Sequence, residues 1–357
     1  MKIVVACGGT GGHAFPGLAV AEELRRRGHE VTVWTSGREI ESSVMNSWTG
    51  PRFATGAKTL SVGHALPNLH AIFRCFKEMK KYRPDAVLAM GSYSSLPPVL
   101  TARFCGVRIC LHEANTVPGK AVEFLSRFAD VVAVSFEVTS RHLPMAKTVM
   151  TGLPVRAEIS SGKRFDFIPP QAFVVFVTGG SQGAHAVNEL MSKALVMMKK
   201  ELDSRGGDVH RPLYVIHQTG AADEGMVMAT YAGASLPSRV HAFEREMANA
   251  FASADLVVAR AGASTCFELA VCGKPALLIP LPSALRNHQH YNADAFAARG
   301  AADEGVQAKL TPRALCRYLL EKYDRPEHLQ RMATKMHELA IPDAAAKVAD
   351  LVEGKMI

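Results

Sequence analysis

Two stretches of this chain share one pattern: an apolar run, a glycine-rich loop and a helix-like segment. Lys2-Ile-Val-Val-Ala-Cys7 runs into Gly8-Gly-Thr-Gly-Gly-His13, and Ala172-Phe-Val-Val-Phe-Val-Thr178 runs into Gly179-Gly-Ser-Gln-Gly183. Continuous β-branched and apolar runs suit strands buried on both faces. The glycines let the chain turn at once into a helix while its backbone stays open to close approach. Such units, alternating along the chain, build doubly wound parallel sheets. At ~100–200 residues per domain, 357 residues hold two such domains.

Other short runs continue the pattern. Strands are predicted at 30–35, 85–90, 107–111, 130–134 and 147–150 in the first half, and at 212–218, 239–243, 255–259, 275–280 and 301–304 in the second. Helical spacing recurs at 18–27, 186–199, 247–252 and 287–299, with three closing helices at 311–323, 325–339 and 343–354. Thr151–Pro170 is rich in Gly, Pro and Ser, which marks a boundary. The expected domains are 1–155 and 172–342, joined by a linker at 156–171. Sheets of this kind bind ligands at the carboxyl ends of their strands, so two facing domains imply an interdomain cleft.

Charge is divided unevenly. The net charge is +8, and residues 1–160 carry 19 Lys+Arg against 12 Asp+Glu while the remainder carries 22 against 21. A basic half attracts nucleic acid, anionic lipid or a phosphorylated substrate, and charge alone does not choose. No reading motif with interleaved aromatics supports nucleic acid. Seven cysteines without a C-x-x-C pair fit a reducing compartment rather than a disulfide framework. The first apolar stretch ends after five residues, too short for a signal peptide, and no run approaches the ~18–20 apolar residues of a membrane span. Cytosolic residence, with membrane contact only from the surface, is the expectation.

The first glycine loop lacks the Gly-Lys-Ser/Thr of a Walker loop, and no acid follows the second strand in the ribose position. It reads as an anion site at a helix N-terminus, and His13, ending the loop, as a general base. The second loop also matches G-x-S-x-G, the nucleophile elbow of α/β-hydrolases, with Ser181 as nucleophile and Asp255 and His288 or His290 as partners. On the phosphate reading Ser181 is a hydroxyl donor instead. The densest segment is Ala259-Arg-Ala-Gly-Ala-Ser-Thr-Cys-Phe-Glu268, followed by Asn287-His-Gln-His-Tyr-Asn-Ala293. Its small residues admit a ligand against a helix N-terminus. Glu268 offers a carboxylate to two ribose hydroxyls, and Gln289 a neutral amide to a sugar.

These loops, with His112-Glu-Ala-Asn-Thr-Val-Pro-Gly119 and Gly152-Leu-Pro-Val-Arg156, resemble the MurG-type transferases of glycosyltransferase family 28, in the same order from about residue 2 to 350. The resemblance implies a GT-B fold, with the final helix (343–357) returning to the first domain. It implies inverting transfer of N-acetylglucosamine from UDP-N-acetylglucosamine to the muramyl 4-hydroxyl of lipid I. Donor contacts carried over are Thr10, Gly11, Gly12, Asn115, Arg156, Ser181, Ala263, Ser264, Thr265, Cys266, Phe267, Glu268 and Gln289. The acceptor diphosphate falls to Gly8, Gly9, Gly91, Ser92, Tyr93, Ser94 and Ser95. Ser92 and Leu96 stand where the family has glycines, and Leu153 where it has Asn. For the chemistry, His13 is the base and Glu113 its alternative or its orienting partner. Arg156 and helix N-termini neutralise the leaving diphosphate, and no Asp-x-Asp suggests a required metal.

Residues 66–83 combine apolar positions at helical spacing, Leu69, Ile72, Phe73, Phe76 and Met79 or Lys80, with a basic flank at Arg74, Lys77, Lys80, Lys81 and Arg83. A helix of this kind docks on an anionic bilayer, here expected to be the cytoplasmic face of the cell membrane where lipid I is anchored. Cell-wall synthesis proteins are further conceivable partners. A related transferase with another lipid or small-molecule acceptor, and the Ser181 hydrolase, are the competing readings.

Overall fold

The computed structural model describes residues 1–9, 11–38, 45, 48–59, 62–205 and 211–355. The chain divides into two compact units: Met1–Arg156 with Ile341–Ile357, and Ala157–Ala340.

In the first unit, seven parallel strands lie in the order β3-β2-β1-β4-β5-β6-β7. They are β1 (Lys2–Ala6), β2 (Glu30–Thr35), β3 (Arg52–Ala54), β4 (Ala86–Ala89), β5 (Arg108–Glu113), β6 (Val131–Val134) and β7 (Thr148–Met150). The second unit holds six, ordered β10-β9-β8-β11-β12-β13. These are β8 (Phe173–Thr178), β9 (Leu213–Gln218), β10 (Ser238–His241), β11 (Leu256–Ala259), β12 (Ala276–Leu278) and β13 (Ala302–Glu304). Strand order reverses between β1 and β4 in one sheet and between β8 and β11 in the other. At such a switch point the flanking loops part and leave a crevice beyond the carboxyl ends. The glycine loops follow β1 and β8, so each opens onto that crevice in its own unit.

Among the described residues, every strand but one overlaps a stretch predicted as a strand, although β10 (Ser-Arg-Val-His) and β13 (Ala-Asp-Glu) are not apolar runs. The exception is β3, three residues at a sheet edge whose Phe53 packs on Trp34 at 4.9 Å between ring centroids. The first helix spans Gly11–Arg26, opening well ahead of the apolar period at Leu18. Its Gly17 sits where any Cβ would lie 2.3 Å from that of Cys7, so glycine lets the helix rest on β1.

The closing helix, Ala344–Val352, belongs to the first unit. Val348, Ala349, Leu351 and Val352 join Ile3, Leu24 and Val131 in one core cluster. At its rim Arg27 donates to Glu23 Oε1 (2.7 Å), Asp350 Oδ1 (2.6 Å) and Glu353 Oε2 (2.9 Å), while His29 Nε2 donates to Glu353 Oε1 (2.7 Å). Burial raises the Glu353 carboxyl, but hydrogen bonds from Lys355 and His29 and the Arg27 charge outweigh it and hold it at about 2, against an ordinary 4.5. A depressed carboxyl stabilises the fold above its unfolded value. That contribution is lost as pH falls from 4.5 toward 2. Arg27→Ala is expected to cost the first unit about 1–3 kcal/mol at neutral pH, since it removes the one charge shared by three carboxylates, each of which keeps a second basic partner in Arg26, Lys355 or His29. The deficit shrinks as the pH is lowered through that window. Urea unfolding at pH 7 and pH 3 measures both; equal deficits at the two pH values contradict the account.

Candidate active site

In the first unit, the loops after β1, β4 and β5 meet around His13. Its Nδ1 lies 2.8 Å from the Met90 carbonyl. A carbonyl only accepts, so the proton sits on Nδ1 and the lone pair on Nε2, the tautomer a general base requires. Gly91, at φ 79°, follows directly, and a Cβ there would stand 3.6 Å from His13 Cε1. Gly9, at φ 124°, approaches the other side of the ring, its Cβ position 3.6 Å from His13 Cδ2. The imidazole is thus bracketed by two glycine backbones. Gly8 O receives hydroxyls from Ser92 (3.0 Å) and Ser94 (2.7 Å), and the Ser95 hydroxyl donates to Gly91 O. Tyr93 lies beneath the Arg38 guanidinium, 5.3 Å from its ring centre. Gly11 and Gly12 form the first turn of the helix, whereas Thr10 lies outside the described residues.

Glu113 ends β5 and is buried. Its Oε1 accepts from the Asn115 N–H (2.9 Å) and Asn115 Nδ2 (3.1 Å), and its Oε2 from the Gly119 N–H (3.0 Å). The carboxylate therefore closes its own loop and fixes Asn115. Beside it, His112 is buried with Nε2 3.2 Å from Gly152 O, and burial pushes it down to about 4, so it stays neutral. Arg156 stacks on Phe15, 4.7 Å from the ring centre, and Phe15 in turn covers Gly11. This sets the guanidinium over the N-terminal turn of the first helix.

In the second unit, Gly183 passes so close to the loop following β9 that a Cβ would fall 2.0 Å from Thr219 O. Gln218 Nε2 donates to Gly180 O (2.9 Å), and its Oε1 accepts the Glu244 N–H (3.0 Å). Ser181 is exposed at the loop's tip. After β11 the helix Ala263–Cys272 starts at Gly262 and turns the N–H groups of its first residues, Ala263, Ser264 and Thr265, toward the crevice. The Cys266 N–H bonds Gly262 O at 3.0 Å, and Cys266 and Phe267 point into the core. Burial pushes the Cys266 thiol up to about 12, so it stays protonated. Glu268 is 9% exposed. Gln289 Oε1 accepts the Leu281 N–H at 2.9 Å, which fixes its amide with the oxygen turned to the backbone.

Sequence reasoning passes over two residues here. Arg260 is buried and donates to Ile279 O and Pro280 O (both 3.1 Å) and to Gln307 Oε1 (2.7 Å), tying together the ends of β11 and β12 and the loop after β13. Its position directly after a strand that ends at a switch point is the available signal. His185, opening the helix after the second glycine loop, pairs with Asp223 at 2.8 Å, a partner too distant in sequence to be foreseen.

The hydrolase reading fails on geometry. Asp255 precedes β11 and is spent on the Val174 N–H (2.8 Å) and Arg211 (3.0 Å). It therefore lies at the amino end of strands whose carboxyl end carries Ser181. With Leu256 opposite Val175 and Ala259 opposite Thr178, the whole length of β11 separates the acid from that loop. The histidines are engaged elsewhere, His288 with Leu285 O (2.7 Å) and His290 with Glu304 (2.6 Å).

The basic helix spans Ala65–Tyr82, and its inward stripe is Asn68, Ala71, Cys75 and Met79. Phe73 is 66% exposed, whereas Ile72 and Phe76 are half-buried. The outward apolar stripe is Leu66, Leu69 and Phe73, and Phe104 is likewise exposed at the end of the helix Leu96–Phe104. Lys77, Lys80 and Lys81 are exposed beside it, with Lys80 Nζ 4.6 Å from the Phe76 ring centre. Among the described residues, no helix is long and apolar enough to cross a membrane, and no group of three or more His, Cys, Asp or Glu is placed to hold a metal ion.

Residues 3–134 match the glycosyltransferase family 28 N-terminal domain and residues 174–348 its C-terminal domain. A Geotalea daltonii protein is 36% identical, over 99% of this chain and 98% of its own. A Myxococcus xanthus protein is 35% identical, over 100% and 94%. Both are named UDP-N-acetylglucosamine–N-acetylmuramyl-(pentapeptide) pyrophosphoryl-undecaprenol N-acetylglucosamine transferase. The crystal structure of MurG from Acinetobacter baumannii superposes with a TM-score of 0.77 at 31% identity, covering 99% of both chains.

Proposed function

Since the chain belongs to glycosyltransferase family 28, we propose that it moves N-acetylglucosamine from UDP-N-acetylglucosamine to the 4-hydroxyl of the muramyl sugar in lipid I, forming lipid II. The relatives' names supply the substrates. The observation that carries the chemistry is the His13 imidazole, held through Nδ1 by Met90 O with Nε2 as its basic nitrogen.

His13 Nε2 takes the proton as the muramyl oxygen attacks the anomeric carbon from the face opposite UDP, which inverts the configuration. One displacement suffices, so no enzyme nucleophile is required. The departing UDP carries the developing charge on its diphosphate. Ser181, the first turn at Ala263–Thr265, and Arg156 supply the donors that stabilise it. Glu268 accepts the ribose hydroxyls and Gln289 NH2 holds the transferred sugar. Glu113 orients Asn115 through the hydrogen bonds described above, which supports a positioning role for it. Gly8, Gly9 and the loop Gly91–Ser95 serve the acceptor diphosphate, and Gly11 and Gly12 the donor. This chemistry needs no cofactor.

The acceptor is membrane-anchored, and the exposed stripe Leu66, Leu69 and Phe73 with its basic flank suits docking on the cytoplasmic face of the cell membrane. Each basic side chain near an anionic surface contributes about 1 kcal/mol. Changing Lys77, Lys80, Lys81 and Arg83 to Glu is expected to weaken binding to vesicles containing anionic lipid at least about 30-fold, as read by co-sedimentation; unchanged binding removes the docking role.

Acceptor choice is tested by offering labelled donor with lipid I, with the same diphospholipid lacking the muramyl sugar, and with an unrelated glycolipid. Label is expected in lipid II alone. Preferential labelling of either other lipid replaces lipid I as the acceptor.

A further inference from the structure

Two hydroxyls converge on one carbonyl of the first glycine loop. Ser94 Oγ lies 2.7 Å and Ser92 Oγ 3.0 Å from Gly8 O, and the hydroxyls are 2.7 Å from each other. Ser92 Oγ also accepts the Ser94 N–H at 3.2 Å. Two hydroxyl protons serve the carbonyl and the contact between the serines, so Gly8 O always receives at least one.

The backbone holds Ser92 there at some expense. Ser92 stands at φ 65° and ψ 167°. Glycine adopts that conformation at ease, and a residue with a Cβ resists it. The family resemblance places glycine at this position. A strained serine thus stands where glycine would serve the backbone, with its hydroxyl aimed at the opposite loop. The space fits closely: a Cβ on Gly9 would lie 3.3 Å from Ser92 Oγ and 3.6 Å from His13 Cδ2.

A loop that receives phosphate must present N–H groups, and a carbonyl lone pair turned the same way repels the anion. Hydroxyl donors on Gly8 O hold that oxygen in place and satisfy it. The second unit uses the same device with different chemistry, since Gln218 Nε2 donates to Gly180 O at 2.9 Å in the other glycine loop.

We propose that Ser92 and Ser94 are positioning residues that fasten the Gly8 carbonyl, so that this oxygen is held and satisfied where the loop meets a diphosphate diester and the His13 ring stays packed against Gly9 and Gly91. The serines act through the loop rather than as phosphate ligands. This inference rests on the transferase reading and deepens its acceptor half.

The test uses the full chain with Ser92→Gly, Ser94→Ala and the double variant. Inorganic pyrophosphate is titrated calorimetrically with UDP saturating, and acceptor KM, donor KM and melting temperature are measured alongside. Ser92→Gly is expected to melt at or above the wild-type temperature, because strain is relieved, yet to bind pyrophosphate about threefold more weakly. The double variant is expected to lose about tenfold in pyrophosphate affinity and to raise acceptor KM about tenfold, with donor KM within about twofold. Should the double variant not fold, Ser92→Gly decides by itself. Pyrophosphate affinity within experimental error of wild type, or no pyrophosphate binding by wild type, overturns the proposal. So does a rise of both KM values together with a falling melting temperature. Weakened pyrophosphate binding in a chain that transfers no sugar leaves the serines' role standing and removes the transferase reading.

Discussion

His13→Ala is expected to lower kcat by about 10²–10⁴-fold, the usual contribution of a positioned general base, while donor KM moves less than about threefold. The split follows from where His13 stands. Its ring is held by Met90 O and lies between Gly9 and Gly91, in the unit assigned to the acceptor. A group that acts only as the muramyl oxygen loses its proton affects the transition state and not donor binding, so the loss falls on kcat. His13→Gln separates proton transfer from packing, because an amide preserves a hydrogen bond to Met90 O and supplies no base. Its kcat is expected to fall as far as that of His13→Ala. Recovery of wild-type turnover in either variant assigns the proton to another group.

The second large effect falls on the nucleotide. Glu268→Ala is expected to raise donor KM about 10²-fold or more, since two hydrogen bonds to a charged carboxylate contribute roughly 1.5–3 kcal/mol each. Glu268 lies in the second unit on the helix Ala263–Cys272, whose first turn is the one proposed to receive the leaving diphosphate. It is buried at 9% exposure, and a carboxylate taken from water is retained where partners repay its desolvation. Glu268→Gln keeps one acceptor oxygen and is expected to fall between wild type and alanine. Steady-state kinetics with the donor varied at saturating acceptor read the effect. An unchanged donor KM removes Glu268 from the ribose.

The apolar runs announce most strands because a strand buried on both faces has no polar positions to hide it. Arg52–Ala54 escapes because three residues at an edge carry no period, and their pairing with β2 depends on residues distant in sequence. Glycines and Pro16 mask the opening turn of the first helix, so its apolar spacing becomes visible only at Leu18. Site residues on glycine loops are legible as types, but their partners are not. His13 is readable as a base from its place after a strand; the Met90 carbonyl that fixes its tautomer is 77 residues away. Glu113 reads as a base or an orienting group from its loop; that its two oxygens accept hydrogen bonds from within residues 113–119 is not legible in the sequence. Asp255 follows Ser181 in the order a hydrolase needs, yet strand direction puts it at the other end of the sheet. On the basic helix, spacing reveals an amphipathic pattern without saying which stripe faces inward, and Met79 is buried while Leu66, Leu69 and Phe73 face out.

The uneven charge with which the chain divides now has a physical reading. The basic excess lies in residues 1–160, the part assigned to an anionic lipid surface and a diphosphate-linked acceptor. The near-neutral remainder is assigned to the nucleotide sugar, whose charge is met locally by a helix N-terminus and loop donors.

The most direct test of the whole account follows UDP release and product together. With UDP-N-acetylglucosamine alone, the chain is expected to release no UDP. With lipid I added, one UDP is expected for each lipid II formed, and the new glycosidic bond is expected to be β from the α-linked donor. UDP release without acceptor, free N-acetylglucosamine as the product, or an α-linked product contradicts direct inverting transfer.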